Sequence, residues 1–424
     1  MKIKKIAIVL LSFCLILAII FVFKNFFISV SVKYLPTELK NVIKFTLNKK
    51  NEFLLNTQNI NEKLFNDYNV KFLPETQKLK LNFEKYQLQF IPKSEIGYFQ
   101  KLVEKKGNSY KSFYIDSLDN DHLILTDSSG NSYFVSDINN LNLSLAKLKP
   151  VTKNINPTKV LDTLTFNNNL FIAYIDTSNE NCRNFVISRS EINKKSLNYE
   201  EFFREKKCSN FIQGGRMQIL NFKDSPGLLF SIADNLVDKP NNLPQSNNSN
   251  FGKILFKDFK EKKAIIFSKG HRNPQGLLVQ ENIILSTEHG PRGGDEINKI
   301  EFGKNYGWPI ASYGMKYSSN SEYLESHSIN GFEEPIFSFI PSIGISEIIK
   351  IPDSFNKNWK NNFLVSSLNK KSLYRVKFEK NYSKINYFEE IYIGQRIRDI
   401  KILNKKIFLA LENSGELGVL SAYE

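Results

Sequence analysis

The sequence predicts an all-β chain, a six-bladed β-propeller preceded by an N-terminal transmembrane helix and a short spacer. Three observations carry that expectation: an apolar run near the N-terminus, a polar stretch after it, and then one hairpin unit that returns six times. The 424 residues, 41% of them hydrophobic, suffice for one large domain beyond an anchor.

The first element follows Lys2, Lys4 and Lys5. Residues 6–23 (IAIVLLSFCLILAIIFVF) are apolar apart from Ser12 and Cys14, and about 18 to 20 such residues span a bilayer core. Lys24, Asn25 and Phe26 come next, where a cleaved leader would show small residues. Residues 1–28 therefore read as an uncleaved anchor, with cleavage as the alternative. The flanking lysines put the N-terminus inside and the bulk of the chain outside, on the periplasmic face of a bacterial inner membrane. Residues 29–92 read as a juxtamembrane spacer. Within it a helix is opened by Pro36 and Thr37, and KLKLNFEKYQLQFI from Lys78 alternates as a strand.

Residues 93–424 hold the repeats. Each is a short apolar strand, a polar turn and a second strand, beginning at His122, Asn169, Gly227, Asn282, Asn362 and Lys406; the Gly227 copy closes across a long loop at Gly252. Four-stranded blades with variable loops give such a recurrence, whereas a β-sandwich would not repeat one acid-turned hairpin so often. A net charge of +15 is spread along the chain among Asp and Glu, which argues against a nucleic-acid partner, whose footprint clusters on one face. Cys182 and Cys208 read either as a disulfide or as two buried thiols.

The chemistry-bearing residues concentrate in residues 270–317. Gly290, Pro291, Gly293 and Gly294 make a loop whose carbonyl oxygens can turn toward a hard cation, and Glu288, Asp295 and Glu296 add carboxylates. Oxygen donors suit calcium, and no Cys or His spacing suits zinc. The plainer reading is a hairpin turn with a solvated acidic edge. Arg272 and Asn273 project from extended backbone before Pro274. Arg396 and Arg398, two apart in GQRIRDIKI, suit the carboxylates of an anionic ligand, or pair with Asp399 or Asp295. Of the four histidines, His271 and His289 flank this region, as bases for alcohol oxidation or as hydrogen-bonded structural groups. Tyr306 and Trp308 read as core or as pocket lining.

GHRNPQG, STEHGPRGGDEIN, KNYGWPIASYG and GQRIRD, in this order, resemble the glucose/sorbosone dehydrogenase family. The resemblance implies a six-bladed propeller, pyrroloquinoline quinone on its face with Ca2+ beneath, and hydride transfer from an aldose C1 hydroxyl to the quinone. It implies that Arg272 contacts the quinone oxygen and that Asn273 is a neighbouring cofactor ligand. Gly290 and Pro291 take the backbone positions of the calcium, with Gly290 also beside the cofactor. Glu296 and Tyr306 take positions tied to a second calcium near the subunit interface of some members, so a homodimer is expected. Arg396 and Arg398 hold cofactor carboxylates.

The sequence also departs from the pattern. IQGGR puts Ile212 where the family carries its catalytic histidine, Pro157 stands for a cofactor glutamine, and Asn369, followed by Lys370, falls where a cofactor lysine is expected. His289, Gln213 acting through water, or Glu288 is then the substitute base. Three functions follow: an anchored quinoprotein sugar dehydrogenase, a propeller of the same family that keeps its ligand-binding mouth without turnover, and a calcium-dependent hydrolase on a similar propeller.

Overall fold

The computed structural model describes residues 71–72, 80–88, 111–179, 182–209, 212–234, 242–316, 323 and 327–422. The expected membrane segment and the helix opened by Pro36 lie outside these residues. Among the described residues no helix is long and apolar enough to cross a membrane.

The six hairpins expected from the sequence form; in blades 2 to 6 each supplies the two middle strands, and in blade 1 the second and third of three. Among the described residues blade 1 has three strands, Phe113–Ser117, Leu123–Asp127 and Ser132–Val135. Blade 2 begins at Lys159–Phe166, blade 3 at Gly214–Phe222, blade 4 at Pro274–Gln280, blade 5 at Ile345–Lys350 and blade 6 at Ile397–Leu403. These innermost strands surround the channel, and each blade proceeds outward by antiparallel neighbours.

The strand expected from Lys78 forms as Leu81–Gln87, but it does not belong to a spacer. It pairs antiparallel with Glu416–Ala422 as the outer strand of blade 6, and Lys71–Phe72 lies parallel on the edge of blade 5. The propeller thus begins before residue 92, because blade 6 has only three strands of its own and the upstream segment completes it.

Apolar side chains fill the spaces between blades in six clusters, one for each adjacent pair. Blades 2 and 3 enclose Leu161, Phe171, Phe230 and Phe251, and blades 6 and 1 close the ring over Phe113, Phe408 and Leu417. Each such side chain contributes about 1.5–3 kcal/mol on burial. Cys182 and Cys208 are joined in a disulfide, settling the alternatives left by the sequence.

Five innermost strands carry a bulge near their first residues, between Val160 and Asp162, Gly214 and Met217, Pro274 and Gly276, Ile345 and Ile348, and Ile397 and Asp399. An extra residue at a bulge re-aims its neighbours, and here it turns polar side chains into the channel. Arg216 receives them. Its Nη1 lies 2.9 Å from Asp162, 2.7 Å from Glu347 and 2.9 Å from Asp399, its Nε donates to the Gln275 carbonyl at 2.6 Å, and its Nη2 donates to the Arg398 carbonyl at 2.8 Å. One guanidinium therefore ties blades 2 to 6 at the same depth, and its face covers the Tyr114 ring of blade 1 at 5.2 Å.

Candidate active site

All innermost strands start at one end of the channel, and the loops between the second and third strands of each blade open there too. This mouth collects the sequence-selected residues. On blade 4 the turn after Ile283–Glu288 carries His289, Gly290 and Pro291, while Arg272 and Asn273 precede the innermost strand.

Glycine is required in this turn. A Cβ on Gly290 would stand 2.0 Å from the Gly294 carbonyl oxygen, and Gly294 has φ +70° with the Tyr313–Gly314 backbone against it. Asp295 Oδ1 accepts from the Gly290 N–H at 3.1 Å and its Oδ2 accepts from the Ile345 N–H at 2.9 Å, so this carboxylate fixes the loop. Among the described residues the carbonyls of Gly290 and Pro291 accept no hydrogen bond. Adjacent carbonyls without a donor can supply two of the oxygen ligands that a calcium ion takes.

Arg272 donates from Nη1 to the His289 carbonyl at 2.9 Å and lies over the Trp308 ring at 5.4 Å. Asn273 Nδ2 donates to Gln213 Oε1 at 2.6 Å, and Asn273 Oδ1 accepts from Gln275 Nε2 at 2.9 Å. The same Nδ2 is 3.5 Å from His289 Nδ1, which makes that nitrogen the acceptor and leaves the proton on Nε2. His289 Nε2 is buried and makes no hydrogen bond of ordinary geometry among the described residues, although the Ile345 backbone lies near enough to the ring to favour its protonated form. Burial above all, with Arg272 and Arg398 nearby and Asp295 opposing, lowers the imidazole to about 4. It is neutral at pH 7, suited to donating a hydrogen bond and poorly suited to taking a proton.

The other expected bases fare no better. Glu288 is held by His271 Nδ1 at 2.6 Å and Ser286 Oγ at 3.1 Å; burial raises its pKa, but these partners pull it below the usual carboxylate range. His271 is therefore a buried structural histidine, with Nε2 on Ser268 Oγ at 2.8 Å. Ile212 packs away from the mouth. It is buried in the apolar cluster of blades 2 and 3 with Leu161, Met217 and Phe230.

Glu296 and Tyr306 line one recess of about 10 Å3, with Glu288, Trp308 and Arg272. That volume is roughly one water-sized sphere. The Tyr306 hydroxyl points elsewhere, donating to the Lys299 carbonyl and accepting from the Glu301 N–H. Burial and then the Glu288 charge raise Glu296 to about 8, and among the described residues no group of three metal-type side chains converges.

Arg396 and Arg398 do converge, but on Glu412 rather than on Asp399 or Asp295. Arg396 Nε donates to Glu412 Oε2 at 3.0 Å, Arg398 Nη2 to Oε1 at 2.7 Å, and Ser112 Oγ to Oε1 at 2.6 Å. Burial opposes ionisation, yet Arg398 and Arg396 hold Glu412 at about 2. Arg398 Nη1 also donates to Gln275 Oε1 at 2.9 Å, linking this edge to Asn273. Asn369 is exposed on blade 5; its N–H donates to the Ile343 carbonyl, and its backbone leaves no room for a Cβ on Gly344. Glu412 and Gln275 are not singled out by the sequence: one sits in an ordinary acidic turn and is placed by its ion pairs with Arg396 and Arg398, the other follows a proline and is turned to the mouth at a bulge.

The family model for glucose/sorbosone dehydrogenase matches residues 111–419. Aldose sugar dehydrogenase YliI of Escherichia coli (strain K12) is 35% identical over 162 residues, covering 37% of this chain and 43% of that protein. Quinoprotein glucose dehydrogenase B of Acinetobacter calcoaceticus is 33% identical over 129 residues, covering 30% and 26%. These alignments thus span less than half of each curated relative. Among solved structures, the soluble aldose sugar dehydrogenase of Escherichia coli in the apo-form superposes with a TM-score of 0.64 at 21% identity, over 81% of this chain and all of that one. The PQQ-bound aldose sugar dehydrogenase of Streptomyces coelicolor gives 0.57 at 17%, over 82% and 99%. At these identities the structural likeness speaks for the fold.

Proposed function

Because the chain belongs to the glucose/sorbosone dehydrogenase family, we propose that it binds pyrroloquinoline quinone and calcium at the propeller mouth and oxidises an aldose at its C1 hydroxyl. The observation that carries this reading is the blade-4 corner: the unclaimed Gly290 and Pro291 carbonyls beside the buried Nε2 of His289. The donor set fits. Gly290 and Pro291 would hold calcium, His289 Nε2–H and the Arg272 guanidinium would donate to ligand oxygens, and the Arg396–Arg398 edge would meet carboxylates. When bound, the quinone supplies a two-electron acceptor for hydride.

The chain's own residues do the orienting. Glu412 fixes the two guanidiniums, and the run Gln213–Asn273–Gln275–Arg398 makes one hydrogen-bonded arc along the rim. Gln213 orients water to receive the hydroxyl proton, because no side chain of this arc is a ready base. A second reading, ligand binding without turnover, is favoured by the burial of Ile212 and the low basicity of His289.

We also propose that residues 6–23 anchor the chain with the propeller in the periplasm; the Cys182–Cys208 disulfide supports an oxidising compartment. The test is full-length protein in detergent with the quinone, calcium, a redox dye and a panel of aldoses. Dye reduction supports the enzyme, quinone binding without dye reduction supports the second reading, and absence of binding sinks both.

A further inference from the structure

Counted from the bulges, the residue before the first bulge position is Gln213 on blade 3, Asn273 on blade 4, Gly344 on blade 5 and Arg396 on blade 6. Three of these line the mouth, and the fourth has no side chain. On blade 2 the same position is Lys159. Its register confirms the equivalence. Lys159 lies opposite Ile175 and Asp162 opposite Ala173, two residues along the same strand, so the bulge puts Lys159 and Asp162 on one side of the blade. Asp162 is the group that reaches Arg216 in the channel.

Lys159 also belongs to the charged edge. Only blade 1 separates blades 2 and 6, and the charges of Arg398, Glu412 and Arg396 all act on the Lys159 ammonium. Among the described residues it makes no side-chain hydrogen bond or ion pair. The edge therefore gathers three cations around one carboxylate, Glu412. Burial first, and then Arg398 and Arg396 against the pull of Glu412, brings the ammonium down to about 8. Such a concentration of like charge is costly unless an anion shares it.

We propose that Lys159 is a ligand-binding residue, the third cation that receives a carboxylate of the anion seated at the mouth, together with Arg396 and Arg398. The proposal rests on the quinone reading above. It goes further in assigning a contact to blade 2, where a partly buried lysine starts the innermost strand.

The test is the dissociation constant of pyrroloquinoline quinone in the presence of calcium, read by quenching of tryptophan fluorescence, since Trp308 lies under Arg272 in the mouth. Full-length wild type, Lys159→Met and Lys159→Arg are compared. Loss of a charge-assisted hydrogen bond predicts roughly tenfold weaker binding for Lys159→Met, with Lys159→Arg close to wild type and unfolding midpoints unchanged; Lys159→Gln replaces the Met variant should that one fail to fold. Wild-type affinity in Lys159→Met, or equal loss in the Met and Arg variants, overturns the role of Lys159 and leaves the quinone reading standing. Absence of binding to wild type overturns both.

Discussion

Blades 3 and 4 offer the mouth the same backbone device with opposite chemistry. On blade 4 the segment before the bulge brings Arg272 and Asn273 to the channel, and its turn adds His289 and the free Gly290 and Pro291 carbonyls. On blade 3 the equivalent segment offers Gln213 alone, and Ile212 turns away into the core between blades 2 and 3. Both rest on glycine: Gly214 and Gly215 have φ of +81° and +95°, and Leu161 leaves no room for a Cβ on Gly215. Glycines and bulges hold the backbone independently of the side chain presented, so one scaffold can offer the mouth different chemistry on each blade.

Ile212→His tests that difference most sharply. If an imidazole at position 212 turns to the mouth instead of into the core that holds Ile212, quinone-dependent dye reduction should rise by roughly a hundredfold to ten-thousandfold, the range of a general base. The variant should lose about 1–3 kcal/mol of stability, since a polar ring replaces a packed side chain. Unchanged turnover with intact quinone binding would mean that blade 3 is not where the deficit lies.

Arg216→Leu breaks what the two blades share. Removing the cation leaves Asp162, Glu347 and Asp399 buried together. Destabilisation of about 3–5 kcal/mol is expected, measured by urea unfolding. A loss under about 1 kcal/mol would show that the neighbouring carboxylates are already protonated; Asp162 is pushed well up by burial and Glu347 is pushed up to about 7 by burial, against the pull of Arg216.

Glu412→Gln probes the opposite edge through pH. The folded pKa of about 2 lies below the ordinary 4.5, so ionised Glu412 contributes stability that is fully present above pH 4.5 and is lost as pH falls toward 2. The variant should be roughly 3 kcal/mol less stable at pH 7 and should converge with wild type near pH 2. Asn273→Ala is the mildest change. It removes the hydrogen bond to Gln213 that joins blades 3 and 4, and about 1 kcal/mol should appear in quinone affinity or in unfolding.

The sequence disclosed the second and third strands of every blade because their alternation runs unbroken between acid- or glycine-containing turns. It concealed the innermost strands, whose bulges interrupt the alternation and whose buried Asp162, Arg216, Glu347 and Asp399 look like surface residues until the channel brings them together. The blade-4 corner was legible since Arg272, Asn273, Gly290 and Pro291 lie within one continuous stretch. The partner of Arg396 and Arg398 was not, because Asp399 beside them is drawn to Arg216 while Glu412 arrives from the next turn.

The closure of blade 6 bears on how the chain is made. Gln87 and Glu416, joined by a hydrogen bond across the final pairing, are 329 residues apart. At about 5–20 residues per second the upstream strand emerges from the ribosome tens of seconds before its partner exists. Until then Leu81–Gln87 is a naked edge able to pair with a neighbouring nascent chain, and the outward charges of Glu84 and Lys85 guard it during that wait.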